Sequence, residues 1–242
     1  MTTSIQHIPA AEVLAVATAA ACKLGVEFLD LSVRYDAASA ARHCDPDALR
    51  GCGLYALCFE GTLLYVGKYL GSRRAGHRNQ ASFDGNVAAQ RWWAHVASFT
   101  ARGRRLHVSR SALTHLVDSC GRAHPLAQGL SAAGDGIYSD AGCLGTGPRL
   151  AFAAAHWEDF SVRDARNLLA GFEFIYVRVL PEAVDPTRLA TAINRAEAEL
   201  IHSLRPQGNG GPKPQTLPSS LLTPARAAQR LAATLEHELA GA

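Results

Sequence analysis

The spacing of apolar and polar residues changes period several times along this chain. From Gly53 to Gly67 the segment GLYALCFEGTLLYVG is almost wholly apolar, broken only at Glu60-Gly61. That pattern predicts two strands, about 53–59 and 62–67, joined by a tight turn. Phe172 to Leu180, FEFIYVRVL, predicts a third strand because aromatic and β-branched residues dominate it. Helical periodicity covers Val87 to Ala101, with Asn86 as N-cap, and the stretch SALTHLVDSC. A longer helix is predicted from Asp185 to Leu204, with Asp185 as cap and Pro186 in the first turn, and Pro206 stops it. A last helix opens at Thr223-Pro224 and carries Leu231, Leu235 and Leu239 on one face.

The remaining segments are less regular. Residues 1–50 read as a helix, with Pro9 in its first turn and Gly25 at its end, followed by irregular chain. Within them, GVEFLDLSVRYD suits a strand or a second short helix, and Asp45-Pro46-Asp47 suits a turn or helix start. RRLHVSR predicts a short strand, AAGDGIYSDAGCLGTGPR is a Gly-rich stretch, and PQGNGGPKPQTLPSS reads as a linker. No internal repeat is visible.

Composition narrows the class. A chain of 242 residues, 48% hydrophobic and 19% charged, is long enough for one well-cored domain with additions and too apolar for bulk disorder. The six cysteines form no C-x-x-C pair, which argues against a zinc ribbon and suits free thiols in a reducing cytoplasm. The apolar stretch Val13 to Cys22 is too short to span a bilayer and follows no basic segment, so neither a membrane span nor a signal peptide is expected. The net charge is only +3, yet Lys68 to Arg110 holds nine Lys/Arg and a single acid, Asp84. A basic block of this kind is the footprint of a polyanion-binding surface.

The candidate chemistry lies in two separated motifs. The first is Gly53-Leu54-Tyr55 followed by Tyr65-Val66-Gly67, with Lys68 next. The second is E-x-x-L-I-x-x-x-x-P-x-x-N, from Glu197 through Leu200, Ile201 and Pro206 to Asn209. Together they resemble the GIY-YIG nuclease family, over roughly residues 51–103 and 172–210, with Leu54 and Val66 in place of the motif isoleucines. The resemblance implies metal-assisted hydrolysis of a phosphodiester. It implies Glu197 as ligand of Mg²⁺ (or Mn²⁺), a hard ion that keeps open water positions. It gives Tyr55 the orientation or deprotonation of the attacking water and Tyr65 the positioning of phosphate or water; a phenol ordinarily titrates near 10 and needs help in the first role. It implies that the Asn209 side-chain amide pins the loop or contacts the Glu197 helix. A family arginine, with His or Tyr one helical turn later, corresponds to Arg91/His95 or to Arg73/His77. Arg91/His95 is favoured because its helix is free of the glycines that weaken the other. Gly67 allows close approach, and Lys68, Arg73, Arg74, His77, Arg78, Arg104 and Arg105 are candidate DNA contacts.

The expected fold is α/β of the α+β kind: a small antiparallel or mixed three-stranded sheet flanked by helices. An N-terminal helical extension (1–50) precedes a nuclease-like domain (51–210), which holds a long insertion (about 104–170). A linker and C-terminal helix (211–242) follow. The expected activity is cleavage of double-stranded DNA by a stand-alone, sequence-specific enzyme of restriction type. One active site cuts one strand, so a homodimer or higher homo-oligomer is expected, with the Leu231/Leu235/Leu239 stripe as one candidate contact. Two alternatives are a repair or mobile-element nuclease acting on structured DNA, and a non-catalytic nucleic-acid-binding module. Gly136-Ile137-Tyr138 is a literal G-I-Y with no partner strand behind it, and Cys120/His124 has no second ligand pair.

Overall fold

The computed structural model describes residues 2–18, 31–71, 80–102, 106–139, 145–161, 168–181, 185–210 and 223–241. The fold is mixed α+β. The chain forms two compact units, one of Met1–Val13, Asp36–Gln90 and Gly171–Ala242, the other of Leu14–Tyr35 and Arg91–Ala170.

The first unit is built on an antiparallel sheet of β1 (Thr3–Pro9), β4 (Gly53–Phe59), β5 (Thr62–Tyr69) and β6 (Phe172–Val179) in the order β1-β6-β4-β5. The strands β2 (Leu14–Thr18) and β3 (Leu31–Tyr35) pair with each other in the second unit. The β4–β5 hairpin turns at Glu60 and Gly61, both with positive φ (48° and 71°), as the primed two-residue turn requires. Four strands stand where sequence predicted three. The extra one, β1, comes from the segment expected to be helical. Its residues Thr3–Pro9 pair in register with Val179–Glu173, and Pro9, lacking an N–H, closes the edge strand. The pairing spans almost the whole chain, so no local pattern announces it. The helix expected to end at Gly25 is instead a four-residue turn of helix, α1 (Ala10–Val13), running into β2; Gly25 itself lies outside the described residues.

Helices α8 (Pro186–Leu204) and α9 (Pro224–Ala240) cover one face of the sheet. The core there joins Leu54, Ala56, Cys58, Val66, Ile175, Val177 and Val179 to Leu189, Ile193, Ala196 and Leu200 of α8 and to Ala227, Leu231, Leu235 and Leu239 of α9. The leucine stripe is therefore spent on intrachain packing rather than offered to a second copy; each leucine so buried contributes about 1.5–3 kcal/mol. Residues at alternate positions, Tyr55, Tyr65, Gly67, Tyr69 and Tyr176, lie on the opposite face of the sheet. Asp185 caps α8 by accepting from the Thr187 N–H at 2.9 Å, as its sequence predicts. Helix α2 (Ala37–His43) and a short 3₁₀ turn, Pro46–Leu49, lead into β4, each capped by the preceding aspartate, Asp36 and Asp45.

A wide helical turn, Ala88–Trp92, carries the chain into the second unit and α3 (Trp93–Phe99). Asn86 caps it, accepting from Ala89 N–H at 2.9 Å. The second unit then packs α4 (Arg110–Cys120), α5 (Pro125–Ala132), α6 (Gly147–Ala155) and α7 (Trp157–Phe160), with α6 against both α3 and α4. The strand expected over RRLHVSR reduces, among the described residues, to parallel bridges from Val108 to Tyr138 and Gly145. Gly136-Ile137-Tyr138 falls at a 3₁₀ turn, Gly134–Ile137, and Tyr138 stacks under the Arg110 guanidinium at 4.9 Å.

Candidate functional site

Strand β5 lies at the edge of its sheet, so its outward backbone groups need partners from elsewhere. Three consecutive residues, Val66, Gly67 and Lys68, gather the chemistry of both sequence motifs. At Val66, the Asn209 amide takes the place of a neighbouring strand. Its Oδ1 accepts from Val66 N–H at 2.8 Å and its Nδ2 donates to Val66 C=O at 2.6 Å. The chain between α8 and Asn209 is shaped for this contact. Arg205 adopts a left-handed φ of 45°, Pro206 cannot continue the helix, and a 3₁₀ turn, Gln207–Asn209, returns to the strand edge.

At Gly67, the two motif tyrosines meet. A Cβ at this position would stand 2.7 Å from the Tyr55 phenol carbon and oxygen and 2.8 Å from the Tyr65 ring. Glycine is thus required by close approach, since both rings lie over its backbone. The ring centroids are 6.1 Å apart at a tilt of 38°. Tyr55 is only 2% exposed, while Tyr65 is half-buried and more open to a ligand.

At Lys68, the backbone N–H donates to Glu197 Oε1 at 3.1 Å, and the Nζ ammonium is ion-paired with Glu197 Oε2. Glu197 stands on α8, one turn before the buried Leu200, and its side chain is 16% exposed against 37% for Lys68. Glu197 thus pairs with the edge strand. Glu199, two residues on, is exposed.

No family model matches this chain, and no curated protein or solved structure is significantly similar to it. The site is therefore weighed on its own geometry. Among the described residues no group of three or more His, Cys, Asp or Glu side chains is placed to hold a metal ion. Glu197 alone would offer a divalent ion one carboxylate, leaving the other positions to water and substrate phosphate. That donor set suits a hard, water-retaining ion such as Mg²⁺ and is unlike the nitrogen and sulfur sets that hold zinc. Oε1 is already oriented by a backbone N–H, as a metal-binding carboxylate needs.

The remaining predicted residues distribute as follows. Arg91 and His95 belong to the second unit, whereas Tyr55, Tyr65, Gly67, Lys68, Glu197 and Asn209 belong to the first. Arg91 is exposed and His95 buried. Burial, and then the positive charges of Arg149 and Arg91, hold the His95 imidazole well below its usual pKa and keep it neutral. Its carbonyl accepts from Ser98 Oγ at 3.0 Å, and Arg149 donates to that same Oγ at 3.2 Å. Arg73, Arg74, His77, Arg78, Arg104 and Arg105 lie outside the described residues. Sequence missed the partnership of Lys68 with Glu197; the available signal was that an edge strand carries outward N–H groups needing acceptors. It also missed Tyr176, opposite Tyr55, whose hydroxyl donates to Gly51 C=O at 2.7 Å and whose burial raises its pKa well above the usual phenol value.

Among the described residues no helix is long and apolar enough to cross a membrane.

Proposed function

We propose that this chain is a metal-dependent endonuclease of the GIY-YIG type, hydrolysing phosphodiester bonds of double-stranded DNA in the manner of a sequence-specific restriction enzyme. One observation supports the reading above the others. Residues 66, 67 and 68 of a single edge strand engage Asn209, the two motif tyrosines and Glu197, respectively. A sheet needs hydrogen-bond caps, but nothing in sheet stability asks that they be the residues of a hydrolytic motif.

In this reading Glu197 would hold Mg²⁺, which when bound supplies positive charge to the phosphoryl oxygens and acidifies water. Tyr55 orients or deprotonates the attacking water, and Tyr65 positions the phosphate or that water. Asn209 holds β5 in register with α8. The resemblance favours Arg91/His95 over Arg73/His77 as the arginine–histidine pair, and Arg91→Ala compared with Arg73→Ala at saturating DNA separates the two, since the catalytic arginine lowers turnover and the other mainly affinity. Basic residues of the run from Lys68 to Arg110 meet the DNA backbone, except Arg102, which is buried and donates to Phe160 C=O at 2.8 Å. A homodimer supplies the second cut, through a surface other than the α9 leucine stripe.

The test is digestion of plasmid and phage DNA with Mg²⁺, wild type beside Glu197→Ala. Discrete bands from wild type alone are expected. Cutting by both proteins removes Glu197 from the site, and no cutting of duplex or structured DNA by wild type removes the nuclease reading. A second reading, a non-catalytic nucleic-acid-binding module, draws on the ion pair that Lys68 already makes with Glu197. In that case duplex binding persists while neither protein cuts.

A further inference from the structure

We infer that Lys68 is a tethered counter-ion that occupies the ion seat of Glu197 and sets how weakly the DNA-free protein binds divalent metal. The inference rests on the reading of Glu197 as the metal ligand. Its basis is a division of labour between the two carboxylate oxygens. Oε1 is held by the Lys68 backbone N–H, a bond that depends on no side chain. Oε2 faces the Lys68 ammonium. A divalent ion approaching Oε2 meets a positive charge already in place, and it binds only after Nζ swings away.

The exposures make that movement feasible. Lys68 is 37% exposed and sits on a flexible four-carbon stem, so its ammonium can return to water without stranding a buried charge. Glu197, at 16%, is the more enclosed partner and remains in place on α8. Metal affinity then carries a factor equal to the fraction of molecules in which Oε2 is free. A DNA phosphate is the natural anion to draw Nζ off, so arrival of substrate vacates the seat. The protein gains a device against idle metal loading, and the same lysine later contacts phosphate.

The experiment is a Mn²⁺ titration of the full chain without DNA, reading free Mn²⁺ by electron paramagnetic resonance. Wild type, Lys68→Met, Lys68→Gln, Arg195→Met and Glu197→Ala are compared, each checked for folding by circular dichroism. Lys68→Met and Lys68→Gln keep the backbone bond to Oε1 and remove only the competitor. They should bind Mn²⁺ about tenfold tighter than wild type, the factor expected if Oε2 is free in roughly a tenth of molecules. Arg195→Met removes the same charge from an exposed position on the same helix and should change affinity less than about twofold. Equal affinity of wild type and both Lys68 variants, with loss in Glu197→Ala, overturns the competition while leaving Glu197 as ligand. An equal gain in Arg195→Met overturns it as well, by showing a general field effect. Binding in no variant, or binding untouched by Glu197→Ala, overturns the metal reading itself and the inference with it.

Discussion

Two residues of β5's neighbourhood carry more constraint than their type suggests. Gly67 is one. A methyl group there meets both tyrosine rings inside 2.8 Å, so Gly67→Ala should force the phenols apart. We expect a loss of about 1–3 kcal/mol in stability, as for other overpacked positions, and, under the proposed nuclease function, a fall in turnover larger than any fall in DNA affinity. Thermal melts and single-turnover cleavage separate the two effects. Asn209 is the other. Asn209→Ala removes both bonds to Val66 and should cost about 1–3 kcal/mol, because the N–H and C=O of the buried Val66 lose their partners. Asn209→Asp keeps an acceptor for Val66 N–H but sets carboxylate against carbonyl, so it should rescue little. His95 gives a pH prediction in the second unit. Its folded pKa is depressed, so below the ordinary 6.5 the unfolded chain takes a proton that the folded chain refuses. Stability therefore falls as pH drops through 6.5, by at most about 1.4 kcal/mol per pH unit. Urea melts at pH 7.5 and pH 5 should show a smaller drop in His95→Gln than in wild type. An unchanged drop would mean that other groups carry the acid sensitivity. At this scale the motif residues were legible in sequence, since Gly, Tyr, Glu and Asn declare themselves by spacing. Lys68 was legible only as a basic residue, because its partner lies 129 positions away.

At the scale of elements, α9 shows how the same pattern supports two readings. Leu231, Leu235 and Leu239 were expected on one face, and they are. Amphipathicity says that such a face is covered, not by what. Here it is covered by α8 and the sheet, with Leu231 and Leu235 fully buried and Leu239 nearly so. Leu235→Ala should then lower stability by about 2–5 kcal/mol with no change in oligomeric state, checked by urea denaturation and light scattering. Dissociation of an oligomer at unchanged monomer stability would reverse that assignment. Element boundaries followed local chemistry closely. The hairpin turned where Glu60-Gly61 predicted, β6 ran from Phe172 to Val179, and α8 opened at its Asp185 cap and ended before Pro206. Each of those signals acts within about four residues, through a cap, a turn or a missing N–H. The N-terminal segment went the other way because β6 had an open edge, and seven residues of TSIQHIP could pair with it.

For the whole molecule, two buried thiols set a limit at alkaline pH. Burial pushes Cys52 and Cys58 in the first unit up to about 12, from an ordinary 9.0. Between those values the unfolded chain loses protons that the folded chain keeps, so stability falls as pH rises from 9 toward 12. Each thiol adds at most about 1.4 kcal/mol per pH unit to that slope. Cys52→Ala/Cys58→Ala should flatten the loss between pH 8.5 and 10.5, measured by chemical denaturation, and thiol titration of the native wild type should leave both residues unreacted. The linear sequence by itself determined the hairpin, the third strand, the helices around SALTHLVDSC, 185–204 and after Thr223-Pro224, the Asn86 and Asp185 caps, the basic run and the two motif halves, because periodicity and capping are short-range. Only the tertiary structure decided that β1 joins the sheet, that Asn209 and Glu197 cap neighbouring residues of β5, that the leucine stripe is spent inside the chain, and that Arg91 and His95 fall in a different unit from Glu197. Those outcomes turn on which distant edges, faces and hydrogen-bond donors remain unsatisfied once local structure has formed. Partners 129 and 143 residues apart leave no periodic trace in the chain that holds them.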